Sequence, residues 1–170
     1  SNVQKIVEKV ETAAEAPAEY EYEKSTTGYY RIRGAADDHA THYLYQNGDE
    51  LFAGDKGGEV RSIFCLEEAT ETKAYYLKAN DGRYIQDRSG LQTKQSIYRF
   101  DTIPVSYSIK GEEYDYPEGH YCLEQTYYTP DKPDFTDVQR CLKCNGNNEG
   151  VSTWGPWTAA SHWAIEPVYG

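Results

Sequence analysis

The sequence lacks methionine, long apolar runs and any excess of positive charge. Its 170 residues include 17 Lys and Arg against 28 Asp and Glu, which gives a formal net charge of −11. Nucleic-acid binding depends on Lys and Arg contacts to phosphate, so we do not expect a nucleic-acid partner. No apolar stretch approaches the roughly 18 residues that a membrane-spanning helix needs, so we do not expect membrane insertion either.

The lack of methionine indicates that the sequence does not start at an initiator residue. The opening Ser1-Asn2 is typical of the remnant left by tag cleavage and carries no information about the fold. We expect either a processed, exported protein (secreted, periplasmic or on the cell surface) or an excised piece of a larger protein.

Familiar catalytic and cofactor motifs are also missing. The sequence has no Gly-x-Ser-x-Gly elbow, no His-Glu-x-x-His and no glycine-rich phosphate loop. Its 28 acidic residues always offer some carboxylate pair for glycosidase chemistry, but no sequence feature singles one out. We therefore predict no catalytic residue, no enzyme activity and no cofactor.

Cysteine is sparse, with residues at 65, 122, 141 and 144 that include one Cys-x-x-Cys pair. A zinc site would need two further ligands, and the four histidines, at 39, 42, 120 and 162, show no ligand spacing. A thioredoxin-like role needs a βαβ context that the sequence does not provide. We predict disulfide-bonded or inert cysteines and no metal site.

The sequence does contain a short pattern that occurs three times: Ser, any residue, an aromatic residue, any residue, Leu, Ile or Phe, and an acid. It lies at residues 62–67 (SIFCLE), 96–101 (SIYRFD) and 161–166 (SHWAIE). The aromatic and aliphatic positions are two residues apart, so both lie on one face of a β-strand. An internal repeat of this kind determines the architecture of the whole domain.

Three further strands are predicted ahead of each copy. The first strands contain residues 30–32 (YRI), 75–77 (YYL) and 121–123 (YCL), whose aliphatic ends are 45 (77−32) and 46 (123−77) residues apart. The second strands contain 43–44 (YL), 84–85 (YI) and 141–142 (CL), and the third contain Leu51, Leu91 and Val151. The recurrence of Tyr30, Tyr75 and Tyr121 predicts that these tyrosines belong to the core.

Three units of four short strands, with no useful helix between them, predict an all-β fold. Twelve strands in three equal units can close into a six-stranded barrel capped by three hairpins, a β-trefoil, and closure protects the strand edges. An immunoglobulin sandwich does not explain the threefold recurrence, and three propeller blades are too few to close a ring. The predicted trefoil spans residues 28–170, with units at about 28–72, 73–118 and 119–170.

Residues 1–27 precede the repeat and have a different pattern. Val3, Ile6, Val7 and Val10 form an apolar stripe that predicts a short amphipathic helix, which Pro17 ends before a charged connector. Two interpretations stay open. The helix either docks on the trefoil or forms half of an interface with a protein partner or a neighbouring domain.

Two insertions interrupt the threefold pattern. Residues 104–118 lengthen the link between the second and third units, and residues 125–138 lengthen the first hairpin of the third unit. Long irregular loops on a rigid scaffold often carry function. Their acidic residues do not match the spacing of a calcium loop, so we interpret them as surface charge.

The repeat also places Cys122 on a strand next to those of Cys141 and Cys144. In an exported protein we expect a disulfide from Cys122 to one of these two residues, and the sequence does not decide between them.

The repeated strands resemble the Gln-x-Trp repeats of ricin-type β-trefoil lectins. Ser replaces the Gln in all three copies, and the Trp is present only at Trp163. The opening 28–32 (GYYRI) and the ending 163–168 (WAIEPV) are similar to trefoil modules of secreted bacterial proteins. The resemblance covers about residues 28–168 and implies the scaffold. The family's sugar pockets combine an Asp, an aromatic platform and an Asn or Gln, and no unit has the full set at matching positions.

The candidate ligand-binding residues are aromatic and amide side chains of the third unit: Trp154, Trp157, Asn145, Asn147, Asn148, Tyr127 and Tyr128. Sugars stack their apolar faces on aromatic rings, while amides bond their hydroxyl groups. An alternative stays open for each kind of ring. The tryptophans fill the open end of the barrel, and the tyrosines pack against the inserted loop.

These patterns favour a non-catalytic carbohydrate-recognition module with a glycan or polysaccharide as its partner. The alternative is a protein-binding trefoil, similar to a protease inhibitor or an accessory domain, that uses the loops 104–118 and 125–138. A third possibility is a structural domain that has no ligand and joins a neighbour through the N-terminal helix.

Overall fold

A computed structural model describes residues 28–71, 73–86, 96–126 and 141–168. These residues form an all-β structure whose thirteen strands belong to one sheet. None of their helical turns is long and apolar enough to cross a membrane. The predicted N-terminal helix, Leu91, Tyr127, Tyr128 and most of the segment 125–138 lie outside the described residues.

The strands, in chain order, are β1 (Gly28–Gly34), β2 (Tyr43–Asn47), β3 (Glu50–Gly54), β4 (Ile63–Glu68), β5 (Ala74–Lys78), β6 (Tyr84–Ile85), β7 (Phe100–Asp101), β8 (Ser106–Lys110), β9 (Cys122–Gln125), β10 (Cys141–Lys143), β11 (Glu149–Gly150), β12 (Ser152–Trp154) and β13 (Trp163–Pro167). Short 3₁₀ helices span Asp37–His39, Val60–Ser62, Glu112–Tyr114 and Ala159–Ser161.

Six of these strands close a barrel. β1 pairs with β4 and β13, β5 pairs with β4 and β8, and β9 pairs with β8, all antiparallel. A bridge between Tyr121, just before β9, and Trp163 in β13 completes the ring. The hairpins β2–β3 and β6–β7 and the pair β10–β12 accompany the barrel strands. This topology is the β-trefoil that the sequence predicts, with the barrel edges paired.

Aromatic residues at equivalent positions pair a first strand with a fourth strand three times around the barrel. The pairs are Tyr30 opposite Phe64, Tyr75 opposite Tyr107, and Tyr121 opposite Trp163. The fourth-strand members of these pairs are all fully buried in the main core. The prediction that residues 96–101 form the fourth strand of the second unit is therefore wrong, because β8 holds that position and Tyr107 supplies its aromatic residue.

Tyr98 instead occupies the third-strand position that the sequence assigned to Leu91. The N–H of Leu51 donates to the Tyr98 carbonyl (2.9 Å), that of Tyr98 to the Val151 carbonyl (3.0 Å), and that of Val151 to the Leu51 carbonyl (2.8 Å). These three bonds form a closed ring around the threefold axis. The interpretation of 104–118 as an irregular insertion is wrong for the same reason, since its residues 106–110 form the barrel strand β8.

A disulfide links Cys122 in β9 to Cys141 in β10, with Cα atoms 6.2 Å apart. This is one of the two pairings that the sequence allowed. Cys65 and Cys144 are buried free thiols.

Candidate functional site

The loop between β12 and the 3₁₀ helix Ala159–Ser161 presents Trp157 to solvent. Its side chain is 61% exposed, and among the described residues Ile103, at 69%, is the only other exposed large hydrophobic residue. The indole lies over Gly155, where an added Cβ would overlap the ring. The alternative that this tryptophan plugs the barrel is therefore wrong, and the buried indole is that of Trp163.

Tyr116 holds the Trp157 loop from the side. Its hydroxyl donates to the Pro156 carbonyl, and its ring stacks on His162 with centroids 3.8 Å apart and planes 20° apart. Burial, with a smaller effect of the Glu124 charge, raises the pKa of Tyr116 to about 12, so the phenol stays a donor even at moderately alkaline pH. The loop that carries the exposed indole is thus held by Tyr116, whose ring in turn packs on His162.

Trp154 lies three residues earlier, at the end of β12, and is partly buried. The Lys143 Nζ lies 5.6 Å from the centroid of its ring, within the range of a cation–π contact. This contact places a positive charge beside the second tryptophan of the predicted site.

The three predicted asparagines hold the turn that follows β10. Asn145 Nδ2 donates to the Gly150 carbonyl (2.8 Å) and to Ser152 Oγ (2.9 Å). Asn147 Oδ1 accepts a bond from the Asp55 N–H at 2.9 Å. These two amides therefore fix the turn internally and against the end of β3.

Asn148 also connects the turn to the first unit, through both the oxygen and the nitrogen of its side-chain amide. Its Oδ1 accepts a bond from the Tyr45 hydroxyl (3.2 Å), and its Nδ2 donates to Asp55 Oδ1 (2.9 Å). Its φ of 57° lies in the left-handed region, which Asn tolerates better than most residues. The bond from Asn148 is the main cause that lowers the pKa of Asp55. The described bonds of the three asparagines reach the first unit or their own turn, and none joins them to Trp157.

A cavity of about 1160 Å³ opens at one end of the barrel. Its wall contains Tyr30, Tyr75 and Tyr121 together with the aliphatic side chains of Leu66, Ile109 and Ile165, one pair from each third of the barrel. The prediction that the three tyrosines belong to the core is confirmed in part: all three are only partly buried, and Tyr30 and Tyr75 pack against the buried core residues. The recurrence of these tyrosines about every 45 residues was the sequence feature that could have predicted a cavity lined by all three units. Tyr116 also lines it, so the rim adjoins the Trp157 loop.

Solved structures with the same fold include several lectins. The chain is similar to the Macrolepiota procera ricin B-like lectin in complex with lactose, at 16% identity and a TM-score of 0.64 over 86% of this chain and 99% of that chain. The Rhizoctonia solani agglutinin has 14% identity and a TM-score of 0.64 over 86% of this chain and 99% of that chain. No family model and no curated protein matches the sequence.

A third similar structure belongs to an enzyme with additional segments. The GlcNAcα1-4Gal-releasing endo-β-galactosidase from Clostridium perfringens has 19% identity and a TM-score of 0.59, over 86% of this chain but 34% of that chain. At such identities the similarity shows the fold alone. The chain is an all-β trefoil of the kind found in ricin B-like lectins, and in the enzyme a region of this fold is part of a longer protein.

Proposed function

We propose that this protein is a non-catalytic glycan-binding module in which the Trp157 indole is the stacking platform for a sugar. The observation that carries the proposal is a 61% exposed tryptophan on a loop held by Tyr116. An exposed indole offers a large apolar face for the C–H surface of a pyranose ring. Because the loop is already ordered, little conformational entropy is lost on binding. The lactose complex of the Macrolepiota procera lectin supports a saccharide as the ligand class.

The proposed site extends from Trp157 to its neighbours in sequence. Trp154 is the second ring, and Lys143, beside it, is a donor for sugar hydroxyl oxygens. The asparagines at 145, 147 and 148 stay candidate hydroxyl-binding groups, with their described bonds holding the turn on which they lie. Tyr127 and Tyr128 also remain predicted members of the site.

A glycan array probed with the full chain, followed by calorimetric titration of the best saccharide, tests the proposal. We expect Trp157→Ala to weaken binding by about 30-fold or more, because a buried Trp anchor contributes roughly 2 kcal/mol and 1.4 kcal/mol is tenfold. Ile103→Ala is the matched control, since it removes the other exposed large hydrophobic side chain and should leave the affinity unchanged. Absence of binding across the array, or equal affinity of Trp157→Ala and the wild type, would overturn the proposal.

We further propose that the protein works in an oxidising compartment, as a secreted, periplasmic or cell-surface protein. The disulfide between Cys122 and Cys141 supports this location, because such bonds persist mainly outside the reducing cytosol.

The alternative of a protein-binding trefoil has less support. Residues 106–110 pair with β5 on one side and with β9 on the other, so this part of the loop 104–118 does not project as an inhibitor loop would. A protein partner that uses residues 125–138 or the N-terminal helix stays a prediction.

A further inference from the structure

Two histidines and a cysteine that are distant in sequence meet beside the first hairpin. His39 ends the 3₁₀ helix Asp37–His39, His42 precedes β2, and Cys144 follows β10. Their potential ligand atoms all lie within 4.8 Å of one another. Within the described part of the chain, the other such cluster contains Cys122 and Cys141, whose sulfurs are already joined in the disulfide.

Two of the three separations in this cluster fit a tetrahedral metal ion. The Nδ1 atoms of His39 and His42 are 3.2 Å apart, and the Cys144 Sγ is 3.5 Å from the His42 Nδ1. With zinc–nitrogen bonds of about 2.05 Å and zinc–sulfur bonds of about 2.3 Å, tetrahedral angles place two nitrogens about 3.3 Å apart and nitrogen and sulfur about 3.6 Å apart. Both separations therefore agree with one shared ion.

Backbone hydrogen bonds fix the two histidines on one side of a tight turn. The His39 N–H donates to the Ala36 carbonyl, the His42 N–H to the His39 carbonyl, and the Gly34 N–H to the His42 carbonyl, each at 2.9 Å. Residues three apart in such a turn point the same way. Gly34 permits the close approach, because a Cβ there would overlap the main chain of His39.

The surroundings of the cluster resemble an outer ligand shell. Asp38 Oδ2 lies 3.7 Å from the His39 Nε2, the ring nitrogen that does not face the cluster, as carboxylates often do behind metal-bound imidazoles. Cys144 is only 2% exposed. Burial raises the pKa of its thiol, so a bound ion would have to displace the thiol proton.

We propose that His39, His42 and Cys144 form a site for Zn²⁺ or a similar divalent ion, with two imidazole nitrogens and one thiolate as ligands and a fourth position open. Two imidazoles and a thiolate are ligands that zinc prefers. The ion would connect the turn of the first unit to the third unit, across 102 residues of sequence. The proposal does not rest on glycan binding, because none of its three ligands is among the residues proposed to contact the sugar and metal binding is measured without a saccharide.

A second histidine pair provides a control within the same chain. The Nδ1 atoms of His120 and His162 are 3.3 Å apart, and the two rings meet edge to face with centroids 5.5 Å apart. No cysteine belongs to this pair in the metal-ligand clusters of the described residues. It therefore offers two nitrogens at a similar separation without the sulfur.

Cobalt titration of the full chain, with its disulfide intact and oxygen excluded, tests the site. We expect one equivalent of Co²⁺ to give a thiolate-to-cobalt charge-transfer band and the visible spectrum of a tetrahedral ion, both removed by added Zn²⁺. Zinc affinity is then measured by competition with a chromophoric chelator. Cys144→Ser should abolish the charge-transfer band and weaken zinc binding by about 100-fold or more, at least as much as loss of an outer-shell group does.

Two variants serve as matched controls. Cys65→Ser removes the other buried free thiol and His120→Gln breaks the second histidine pair, and both should leave the cobalt spectrum and the zinc affinity unchanged. A wild-type cobalt spectrum without a thiolate band overturns the proposal, whether or not Cys144→Ser folds. The same holds if Cys65→Ser or His120→Gln, rather than Cys144→Ser, removes that band.

Discussion

Glu124 in β9 is a buried carboxylate whose bonds can be tested one residue at a time. It is only 3% exposed, and it accepts bonds from Lys110 Nζ at 3.0 Å and from the Tyr114 hydroxyl. We expect Lys110→Met to lower the free energy of unfolding by about 2 kcal/mol, because the mutation leaves a desolvated charge without its cation. Urea denaturation at neutral pH measures the loss.

Lys56 is the matched surface cation for this comparison. It lies 3.9 Å from Asp55 Oδ1 and 4.0 Å from Glu59 Oε2, and both acids are largely exposed. Lys56→Met should change the free energy of unfolding by less than about 1 kcal/mol, since exposed ion pairs contribute little. Equal losses in Lys110→Met and Lys56→Met would show that burial of Glu124 does not matter.

At the scale of single elements, hydrogen exchange can distinguish the barrel strand β8 from the loop residues that follow it. It pairs with β5 and with β9, so the amides of residues 106–110 should exchange hydrogen almost as slowly as the most protected barrel strands. The following 3₁₀ helix, Glu112–Tyr114, has no strand partner and should exchange faster. Peptide-level hydrogen-exchange mass spectrometry measures both. Equal rates in the two segments would contradict the assignment of β8 to the barrel.

The same strand shows how far sequence patterns predict this fold. The first strands of the units follow from the recurrence of Tyr and aliphatic residues about 45 positions apart, and the second strands from the short apolar pairs that come after them. The structure confirms both sets. The fourth strand of the second unit does not follow, because residues 96–101 and 106–110 both alternate apolar and polar residues. Tyr98 and Tyr107 are both fully buried, so burial patterns alone cannot tell a strand near the threefold axis from a barrel strand. Only the pairing with Tyr75 decides between them.

The arrangement of the whole molecule explains why its sites were harder to predict than its strands. An exposed indole could be expected from two tryptophans around a Gly-Pro turn, and Trp157 is exposed. The cluster of His39, His42 and Cys144 has as its local signal only the three-residue separation of the two histidines, which by itself does not predict a metal site. Its third member, Cys144, belongs to the third unit and meets the histidines of the first unit only when the barrel closes. Such a meeting of residues is a property of the fold and leaves no periodic trace in the sequence.

The stability of the whole chain should depend on pH through two histidines. The pKa values of His42 and His162 are lowered, mainly by burial and further by His39 and His120 respectively. Asp38 and Asp55, which also face His42, act in the opposite direction. A histidine that is neutral in the folded state stabilises fully above the unfolded pKa of about 6.5, and this contribution is lost as the pH falls below that value.

We therefore expect the metal-free wild type to lose more stability between about pH 7.5 and pH 5.5 than a His42→Gln, His162→Gln double variant does. The wild type has to be compared with the double variant because acidification also reduces the charge repulsion in a chain of net charge −11, and this effect stabilises the wild type and the variant alike. Urea denaturation in the presence of EDTA gives the two differences. If the double variant loses as much stability as the wild type, the two histidines are not the groups that take up protons when the chain unfolds.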